Sequence, residues 1–518
     1  MKPGEIKQDQ SAVVAFLEDP VTHGGVTPER IDTHAAMVFL AGDRAYKLKR
    51  AVWFPFLDFS TLARRRDACE AEVRLNRRTA PQFYLGCRPV TRQADGTLAL
   101  DGDGEPIEWI VVMRRFDQDL LFDRMAERGD LAASHMIQLA DEIAAFHAVA
   151  EPRPDRGGSK ALRWIVDDDI DELAAMPAAF GTTGVEALRH LSDEALRRCA
   201  GLLDARRAAG FVRHCHGDLH LRNIFLWEGR PTLFDCLEFD ENLACTDVLY
   251  DLAFLLMDLE HRGRRDFANL TFNRYLQRTG DLGGLPAVPL FLSCRAAIRA
   301  KVEASGATYQ HDDAKAETMR ASAREYLKLA TFFLASHAPR LIAIGGESGC
   351  GKSTIASLAA PNLGEAPGAL IIRSDVTRKH MFGRQLEDAL PQEAYSPEAT
   401  QRTYAEILVA AREGLAAGMT VIADAVYADA AERDLLETVA RDARVPFHGF
   451  WLDAPLELRI ERAAGRRGDA SDATADFVAK HPRREKGLMR WSRIDASGSA
   501  ESVAAAVLES LAAAMAPA

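Results

Sequence analysis

Of all segments in the chain, the glycine-rich stretch at residues 345–354 has the residue types and spacing that most clearly suit one kind of chemistry, the binding of phosphate groups. It reads GGESGCGKST and directly follows an apolar run. It fits the pattern G-x-x-x-x-G-K-[ST], in which backbone N–H groups converge on phosphate oxygens, the lysine reaches the β- and γ-phosphates and the hydroxyl can bind Mg²⁺. The spacing therefore predicts a nucleotide site in which Ser353 is also a metal ligand. We assign to it Gly346, Glu347, Ser348, Gly349, Cys350, Gly351, Lys352, Ser353 and Thr354.

Strand and helix patterns alternate around this loop. Strands are predicted at 341–344, 370–378, 419–424 and 447–452. Helices are predicted at 353–360, 395–417, 428–441 and 502–515. This alternation behind a phosphate-binding loop predicts a parallel sheet with helices on both faces and a ligand at the carboxyl ends of the strands.

A second group of polar residues lies near the middle of the chain. The stretch 214–226 reads HCHGDLHLRNIFL, and an apolar pair then leads to an aspartate. Asp218, Asn223 and Asp235 suit phosphoryl transfer. One carboxylate can take or orient the proton of an acceptor hydroxyl, while an amide and a second carboxylate hold Mg²⁺ against a triphosphate. A five-residue separation and a short hairpin turning at 228–231 can bring the three groups together.

The order H-x-D-x-x-x-x-N, followed by an apolar pair and Asp, resembles the catalytic loop of the protein-kinase-like fold. Its H-G-D form and the later DVLYDLA at 247–253 resemble the aminoglycoside phosphotransferase branch of that fold, over roughly residues 30–330. Members of that branch phosphorylate hydroxyls of small molecules. Carried over by position, the resemblance implies that Asp218 is the catalytic base and that Asn223 and Asp235 are Mg²⁺ ligands. It further implies that His216 structures the loop and that Asp251 braces it.

The same resemblance implies an upstream lysine that holds the α- and β-phosphates. Ala45-Tyr46-Lys47 is similar to the end of the kinase motif V-A-I-K and lies in a hairpin predicted over 38–49, with its turn at Gly42 and Asp43. Lys49 lies on the same face of that strand and is the alternative. The chain departs from the kinase pattern in one respect, since no G-x-G-x-x-G precedes the lysine.

A helix carboxylate should pair with this lysine. The helix predicted over 61–79 offers two candidates, of which we choose Glu72, with Glu70 as the alternative. A buried strand predicted over 107–113 ends at Met113, which completes the nucleotide-binding residues assigned to this part of the chain.

The last third of the chain, from about residue 340, resembles small P-loop kinases such as gluconate kinase, chloramphenicol phosphotransferase, zeta toxin and the polynucleotide 5′-hydroxyl kinases. In that group an aspartate at the end of the second strand commonly activates the substrate hydroxyl and an arginine follows it. The resemblance implies these catalytic roles for Asp375 and Arg378. Asp424 ends the third strand, where a carboxylate can hold Mg²⁺ or contact substrate. A helix cap is the alternative interpretation of Asp424.

A cluster of four arginines at 459–467 completes this resemblance. In the P-loop kinases a lid between two helices closes over the nucleotide and supplies arginine to the charge that develops on the transferred phosphoryl group. Basic clusters are usually solvated faces, but this one adjoins the sequence GRRGDASDA in a chain with a phosphate-binding loop. We therefore assign catalytic roles to Arg462 and Arg466.

Composition narrows the class of protein. The 518 residues are 47% hydrophobic and 27% charged, as in globular proteins, and no apolar run is long enough to cross a bilayer. Eight scattered cysteines without a C-x-x-C pair favour reduced thiols in a cytoplasm over disulfides or a zinc site. A net charge of −12 disfavours nucleic acid as a partner, so we expect small-molecule acceptors. Because no apolar run is long enough to cross a bilayer, we also expect no membrane association.

The sequence thus predicts an α+β protein-kinase-like bilobal domain followed by an α/β P-loop NTPase domain. The first covers 1–337, with an N-lobe at about 1–115 and a helical C-lobe at about 116–337, and the second covers 338–518. Each is expected to transfer the γ-phosphoryl group of Mg²⁺-bound ATP or GTP to a hydroxyl of a small molecule. The alternatives are that one half senses nucleotide and regulates the other, that the second half phosphorylates nucleic-acid 5′-hydroxyls, or that it is an ATPase acting on a partner.

Overall fold

The computed structural model describes residues 6–54, 57–310, 312–335, 338–465, 470–481 and 486–514. By its internal contacts the chain divides into two compact units, each made of two segments. The first comprises Met1–Ala161 and Asp204–Leu255, and the second comprises Leu162–Leu203 and Leu256–Ala518. The predicted boundary near residue 337 lies inside the second unit, which groups helices that precede this boundary with the whole P-loop region.

The first unit opens with a six-stranded antiparallel sheet flanked by two helices. The elements are α1 (Ser11–Glu18), β1 (Glu29–Asp32), β2 (Ala36–Ala41), β3 (Arg44–Lys49), β4 (Trp53–Phe54), β5 (Leu57–Asp58), α2 (Leu62–Asn76), β6 (Tyr84–Arg92), β7 (Leu98–Leu100) and β8 (Glu105–Arg114). The strand order is β1-β2-β3-β8-β6-β7. Because side chains alternate along a strand, Phe39 and Leu48 pack towards α1, whereas Ala45 and Met113 pack towards α2.

The hairpin that carries Lys47 is confirmed. Ala41 pairs with Arg44 across a turn at Gly42 and Asp43, and Gly42 has φ +57°, a value that glycine adopts without strain. The helix predicted over 61–79 is confirmed as α2, whose N-cap Thr61 accepts a hydrogen bond from the N–H of Arg64. These two elements place Lys47 opposite Glu72.

Helices and short hairpins follow. They are α3 (Phe122–Arg128), α4 (Ala133–Val149), α5 (Gly158–Ala174), α6 (Pro177–Phe180), α7 (Thr182–Ala208), β9 (Val212–His214), β10 (Ile224–Trp227), β11 (Arg230–Leu233), α8 (Glu241–Ala244), β12 (Cys245–Asp247), α9 (Val248–His261), α10 (Arg265–Thr279), α11 (Val288–Tyr309) and α12 (Asp313–Phe333). The predicted hairpin is confirmed as β10–β11, but its turn is shorter than the predicted 228–231. Glu228 and Gly229 alone form the turn, both with positive φ, and Trp227 pairs with Arg230.

The P-loop region is a parallel five-stranded sheet of order β14-β15-β13-β16-β17. The strands are β13 (Leu341–Gly346), β14 (Leu370–Arg373), β15 (Val421–Asp424), β16 (Phe447–Asp453) and β17 (Ser492–Asp495), and the helices are α13 (Lys352–Ala359), α14 (Ser374–Met381), α15 (Pro397–Ala416), α16 (Ala430–Ala443), α17 (Leu456–Ala464), α18 (Ala475–Lys480) and α19 (Ala500–Ala513). Ile371 and Ile422 pack against α13 and α19, whereas Leu370 and Val421 meet Gly414 of α15 on the other face. The predicted sheet with helices on both faces is therefore confirmed.

One element of this region differs from its prediction. The strand predicted over 370–378 ends at Arg373, and α14 begins at the next residue. Asp375 and Arg378 therefore lie on a helix rather than in a strand, because the polar residues that follow the apolar run form the helix's first two turns. Within the described residues, no helix is long and apolar enough to cross a membrane.

Candidate active sites

A chain of five charged side chains links β3, α2 and the segment after β11. Lys47 Nζ lies 2.9 Å from Glu72 Oε1 and 2.6 Å from Asp235 Oδ1. Lys49 Nζ lies 2.6 Å from Glu72 Oε2 and 2.5 Å from Glu238 Oε1. Glu72 is therefore shared by both lysines that the sequence offered, and negative and positive groups alternate along the chain.

The lysines keep Glu72 ionised although it is fully buried. Burial alone opposes its charge, but the ammonium groups of Lys47 and Lys49 outweigh burial and lower the pKa of Glu72 to about 2. Burial likewise opposes the charge of Lys47, and the carboxylates of Asp235 and Glu72 raise its pKa well above the ordinary value. The alternative carboxylate, Glu70, is exposed and pairs with Arg66 at 2.9 Å.

The catalytic loop brings Asp218 and Asn223 into direct contact. Asn223 Nδ2 donates to Asp218 Oδ2 at 2.8 Å and to the Asp218 carbonyl at 2.9 Å. His220 Nε2 lies 3.4 Å from the other carboxylate oxygen. The N–H of Phe234 donates to the Asn223 carbonyl at 3.1 Å, so the base of the β10–β11 hairpin brings the segment ending at Asp235 alongside this loop.

Asp251 braces the loop from below. Its buried carboxylate accepts hydrogen bonds from the backbone N–H groups of His216, at 3.1 Å, and Gly217, at 2.8 Å, and His147 Nε2 lies 3.1 Å away. Gly217 has φ +83°, which explains why glycine follows the histidine. His216 Nε2 is 2.9 Å from the Phe234 carbonyl and so joins the loop to the end of β11.

The oxygen atoms near this loop fit a hard divalent cation. Asp235 adopts a left-handed φ of +59°, which is strained for a non-glycine residue, and its N–H donates to the Tyr84 hydroxyl at 3.2 Å. The carboxylate of Asp235 is partly exposed. Because Asn223 uses its side-chain nitrogen to bind Asp218, the Oδ1 atom of Asn223 is the one suited to a metal, and carboxylate and amide oxygens are Mg²⁺ ligands.

Met113, assigned to the nucleotide-binding residues, pairs with Ala45 of β3 and is buried beside it.

The phosphate-binding loop connects β13 to α13, and its backbone requires glycine. Gly346, Gly349 and Gly351 have φ of +141°, +88° and +89°. A Cβ added at Gly346 would lie 2.6 Å from the Leu452 carbonyl oxygen, and one at Gly349 would lie 2.5 Å from the Arg459 carbonyl oxygen. Successive N–H groups can therefore point at an anion at the N-terminus of α13, which is the arrangement that binds phosphate.

Ser353 and Asp424 form a pair of oxygen donors beside the loop. Ser353 Oγ donates to Asp424 Oδ2 at 2.5 Å, and Arg373 Nε lies 3.6 Å from the same oxygen. Burial raises the pKa of Asp424, against the opposing charges of Arg373 and Lys352. The alternative of a helix cap does not hold, because Asp429 is the N-cap of α16. The donor set fits Mg²⁺.

A cavity of about 740 Å³ opens at the carboxyl end of the sheet, and the phosphate-binding loop, Asp375 and Arg378 line it. Among the described residues, the carboxylate of Asp375 has no hydrogen bond or ion pair. Arg378 is held in place: its Nη1 donates to the Ala394 carbonyl at 2.5 Å, and its guanidinium lies 5.1 Å from the ring centre of Tyr395. The carboxylate is thus open to an acceptor, whereas the arginine is anchored beside it.

The arginines predicted for a lid have different positions. Arg462 lies in the last turn of α17 and donates to the carbonyls of Ala496, at 2.8 Å, and Gly498, at 3.1 Å. It therefore ties α17 to the segment after β17, at the wall of the cavity. Arg466 lies outside the described residues. Arg459, which we did not select, is buried, and its Nε donates to the Ser348 carbonyl within the phosphate-binding loop at 3.0 Å.

Sequence reasoning missed two further carboxylates. Asp472 accepts from the Tyr395 hydroxyl at 2.6 Å and lies 3.3 Å from Lys379 Nζ, so it closes one side of the cavity. It belongs to the GRRGDASDA stretch, whose acidic residues were a usable signal. Glu238 lies three residues after Asp235, and only the register of the loop after β11 reveals that it faces Lys49.

Comparison with known proteins identifies a family for each of the two regions that carry these sites. Residues 40–288 match the family model described as "Phosphotransferase enzyme family", and residues 341–484 match the model described as "AAA domain". Together with the two folds, these matches define a chain with an aminoglycoside-phosphotransferase-like domain and a P-loop kinase domain, so both predicted resemblances are confirmed. Domains of both kinds typically use ATP with Mg²⁺.

Three mycobacterial proteins match nearly the whole chain. They are "Uncharacterized protein Mb2027c" from Mycobacterium bovis and "Uncharacterized protein MT2060" and "Uncharacterized protein Rv2004c" from Mycobacterium tuberculosis. Each is 32% identical over 486 residues, which cover 91% of this chain and 92% of the relative. The chain belongs to the same family of fused kinase-type proteins.

Two solved structures are similar to this chain over part of its length. A choline/ethanolamine kinase family protein from Mesorhizobium loti is 14% identical, with a TM-score of 0.37, and the match covers 62% of this chain and 98% of that one. A gluconokinase from Sinorhizobium meliloti 1021 is 19% identical, with a TM-score of 0.25, over 35% of this chain and 99% of that one.

Proposed function

We propose that this chain is a bifunctional phosphotransferase in which each kinase-type domain transfers the γ-phosphoryl group of ATP or GTP to a hydroxyl of a small molecule. The observation that carries the proposal is the presence, in each site, of a carboxylate suited to an acceptor proton beside a separate set of phosphate- and metal-binding groups. Asp218 is that carboxylate in the first site and Asp375 in the second.

In the first site, Asp218 takes or orients the acceptor proton, and Asn223 holds the carboxylate in place through its 2.8 Å hydrogen bond. Lys47, which Glu72 positions, binds the phosphates of the donor. Asp235 and Asn223 would hold Mg²⁺, which neutralises phosphate charge when bound. Positioning and electrostatics supply most of the rate in such transfers.

In the second site, the backbone N–H groups of the phosphate-binding loop and Lys352 hold the donor phosphates. Asp375 takes the proton of the acceptor hydroxyl in the cavity, and the anchored Arg378 stabilises negative charge nearby. Ser353 and Asp424 would hold the Mg²⁺ of this site. Arg462 fixes the wall beside the loop and thereby helps position the nucleotide.

We further propose small-molecule acceptors and a cytoplasmic location for this activity. All eight cysteines are free, which supports a reducing compartment. The net charge of −12 supports a partner other than nucleic acid. Incubating the full chain with γ-labelled ATP and an unlabelled 5′-hydroxyl oligonucleotide tests whether nucleic acid is an acceptor, and incorporation of label into the oligonucleotide would overturn this part of the proposal.

The experiment that tests the function measures transfer from γ-labelled ATP and GTP into a fractionated metabolite extract. It compares the intact chain with Asp218→Asn, Asp375→Asn and Lys352→Ala, and with Glu70→Gln as a control on an exposed carboxylate. We expect one labelled product to disappear with Asp218→Asn and another with either of the other two variants, each by at least about 100-fold. Labelled free phosphate without any acceptor product would indicate a nucleotide-sensing role instead.

A further inference from the structure

Two buried asparagines of α10 cover the outer edge of β14, the first strand of the five-stranded sheet. Asn273 Oδ1 accepts from the Ile371 N–H at 2.7 Å, and its Nδ2 lies 3.1 Å from the Ala369 carbonyl. Asn269 Nδ2 donates to the same carbonyl at 3.0 Å. The amide of Asn273 therefore makes the pair of hydrogen bonds that a neighbouring strand would otherwise make.

The same helix also holds the far end of α14. His380 Nε2 lies 2.7 Å from the Gln277 carbonyl. Arg274 and Arg278 both bind the carboxylate of Glu387, six residues after the end of α14, at 2.7 to 2.8 Å. Helix α10 thus contacts the chain before, at the end of and beyond α14.

These contacts matter because β14 runs into α14 without a loop, and α14 carries Asp375 and Arg378. A strand and a helix joined in this way move together. Because α10 holds the edge of β14 at one end and His380 at the other, both ends of α14 are fixed in place. No residue of α10 lines the described cavity. Any effect of α10 on the reaction is therefore indirect, and its contacts at both ends of the β14–α14 unit point to the placement of α14.

We propose that α10 is a positioning element of the P-loop kinase site and that Asn273 is its central residue. The helix lies in the stretch that matches the phosphotransferase family, 40–288, and completes a site in the stretch 341–484. The proposal rests on phosphoryl transfer by the P-loop region as the proposed function. It adds that the acceptor carboxylate of that site is held in place by a residue from outside the P-loop kinase sequence.

The test uses the full chain with Asp218→Asn, so that only the P-loop site transfers phosphoryl groups, and adds Asn273→Ala. The matched control is Thr279→Ala, an exposed residue at the end of the same helix whose hydroxyl donates to the Tyr275 carbonyl of its own helix. Hydrogen–deuterium exchange should accelerate at least about tenfold in peptides from 370–381 and stay unchanged in 352–359. Transfer to the labelled acceptor should fall about 10- to 100-fold, while the KM for ATP stays within about twofold.

A second variant pair guards against simple misfolding. Arg274→Ala with Arg278→Ala removes the three hydrogen bonds to Glu387 and should reduce transfer. Arg274→Lys with Arg278→Lys should restore part of it, because the charge is kept although the bidentate pair of Arg278 is lost. Unchanged exchange in 370–381, or an equal loss of ATP affinity and transfer, would overturn the proposal. If no acceptor product forms even in the parent chain, the proposed function fails, and the exchange measurement alone still decides whether Asn273 holds α14.

Discussion

At the scale of single residues, the most consequential feature is the sharing of Glu72 between two lysines. A buried carboxylate with one ammonium partner loses that partner whenever the lysine turns to a phosphate. Here Lys49 Nζ also lies 2.6 Å from Glu72, so the helix carboxylate would keep an opposite charge if Lys47 turned to a phosphate. The sequence could not separate Lys47 from Lys49 because both lie on one strand face, and the structure shows that both bind Glu72.

Replacing Lys49 by methionine should destabilise the chain by about 3–5 kcal/mol at pH 7, because the largely buried Glu238 loses its lysine partner and Glu72 keeps only Lys47. The folded-state pKa of Glu72, about 2, lies below its ordinary value of 4.5, so its stabilising effect is present above pH 4.5 and is lost as the pH falls towards 2. The difference between variant and parent should shrink over that range. Urea denaturation at several pH values measures it.

The control for this prediction is Arg66→Ala, which breaks the exposed pair with Glu70 on the same helix. Exposed pairs contribute little, so this variant should change stability by less than about 1 kcal/mol. A loss in Lys49→Met that is no larger than in Arg66→Ala, or that grows as the pH falls, would contradict the assigned role of Lys49.

At the scale of elements, the phosphate-binding loop depends on close backbone approaches as well as on positive φ. At Gly349 both constraints act, because a Cβ there would lie 2.5 Å from the Arg459 carbonyl oxygen. At Gly418, in the turn before β15, only the backbone constraint acts: φ is +84°, and nothing lies within 4 Å of an added Cβ. The two positions therefore separate local strain from displacement of the loop against α17.

Gly349→Ala should lower phosphoryl transfer by the P-loop site at least about tenfold, measured in the full chain with Asp218→Asn, because the loop's N–H groups shift away from the phosphates. Gly418→Ala should cost about 1 kcal/mol of stability, seen in the denaturation midpoint, and leave transfer within about twofold. Equal losses of transfer in both variants would mean that backbone strain alone, and not the contact with Arg459, determines the loop's geometry.

At the scale of the whole molecule, the sequence predicted local features well and distant contacts poorly. The phosphate-binding loop and the hairpin at Gly42 were predictable because glycine, lysine and strand alternation act within a few residues. Asn269 and Asn273 gave no signal, since asparagines in a helix usually face water, and only the docked edge of β14 explains their burial. Asp375 was placed in a strand for a similar reason: nothing local marks the direct passage from β14 to α14.

The docking of α10 predicts that the chain stays assembled after a cut. A protease site placed between α12 and β13, with cleavage in the folded protein, should yield two pieces that elute together in size-exclusion chromatography, because the contacts at Ile371 and Glu387 remain. Adding Asn273→Ala, Arg274→Ala and Arg278→Ala should release them. If the two pieces of the cleaved parent chain, which keeps all three residues, eluted separately, these contacts would be too weak to hold the P-loop region in place.

The amide of Asn273 also has a consequence for how such genes can change over time. A domain whose sheet edges need no partner from elsewhere in the chain can be separated and joined to another protein. Here the edge strand β14 is completed by a side chain encoded about 100 residues upstream. Splitting the gene between its two kinase-type parts would leave an N–H and a carbonyl exposed on an edge strand, which invites aggregation. Fission would therefore require a compensating substitution first, and the fusion is easier to keep than to undo.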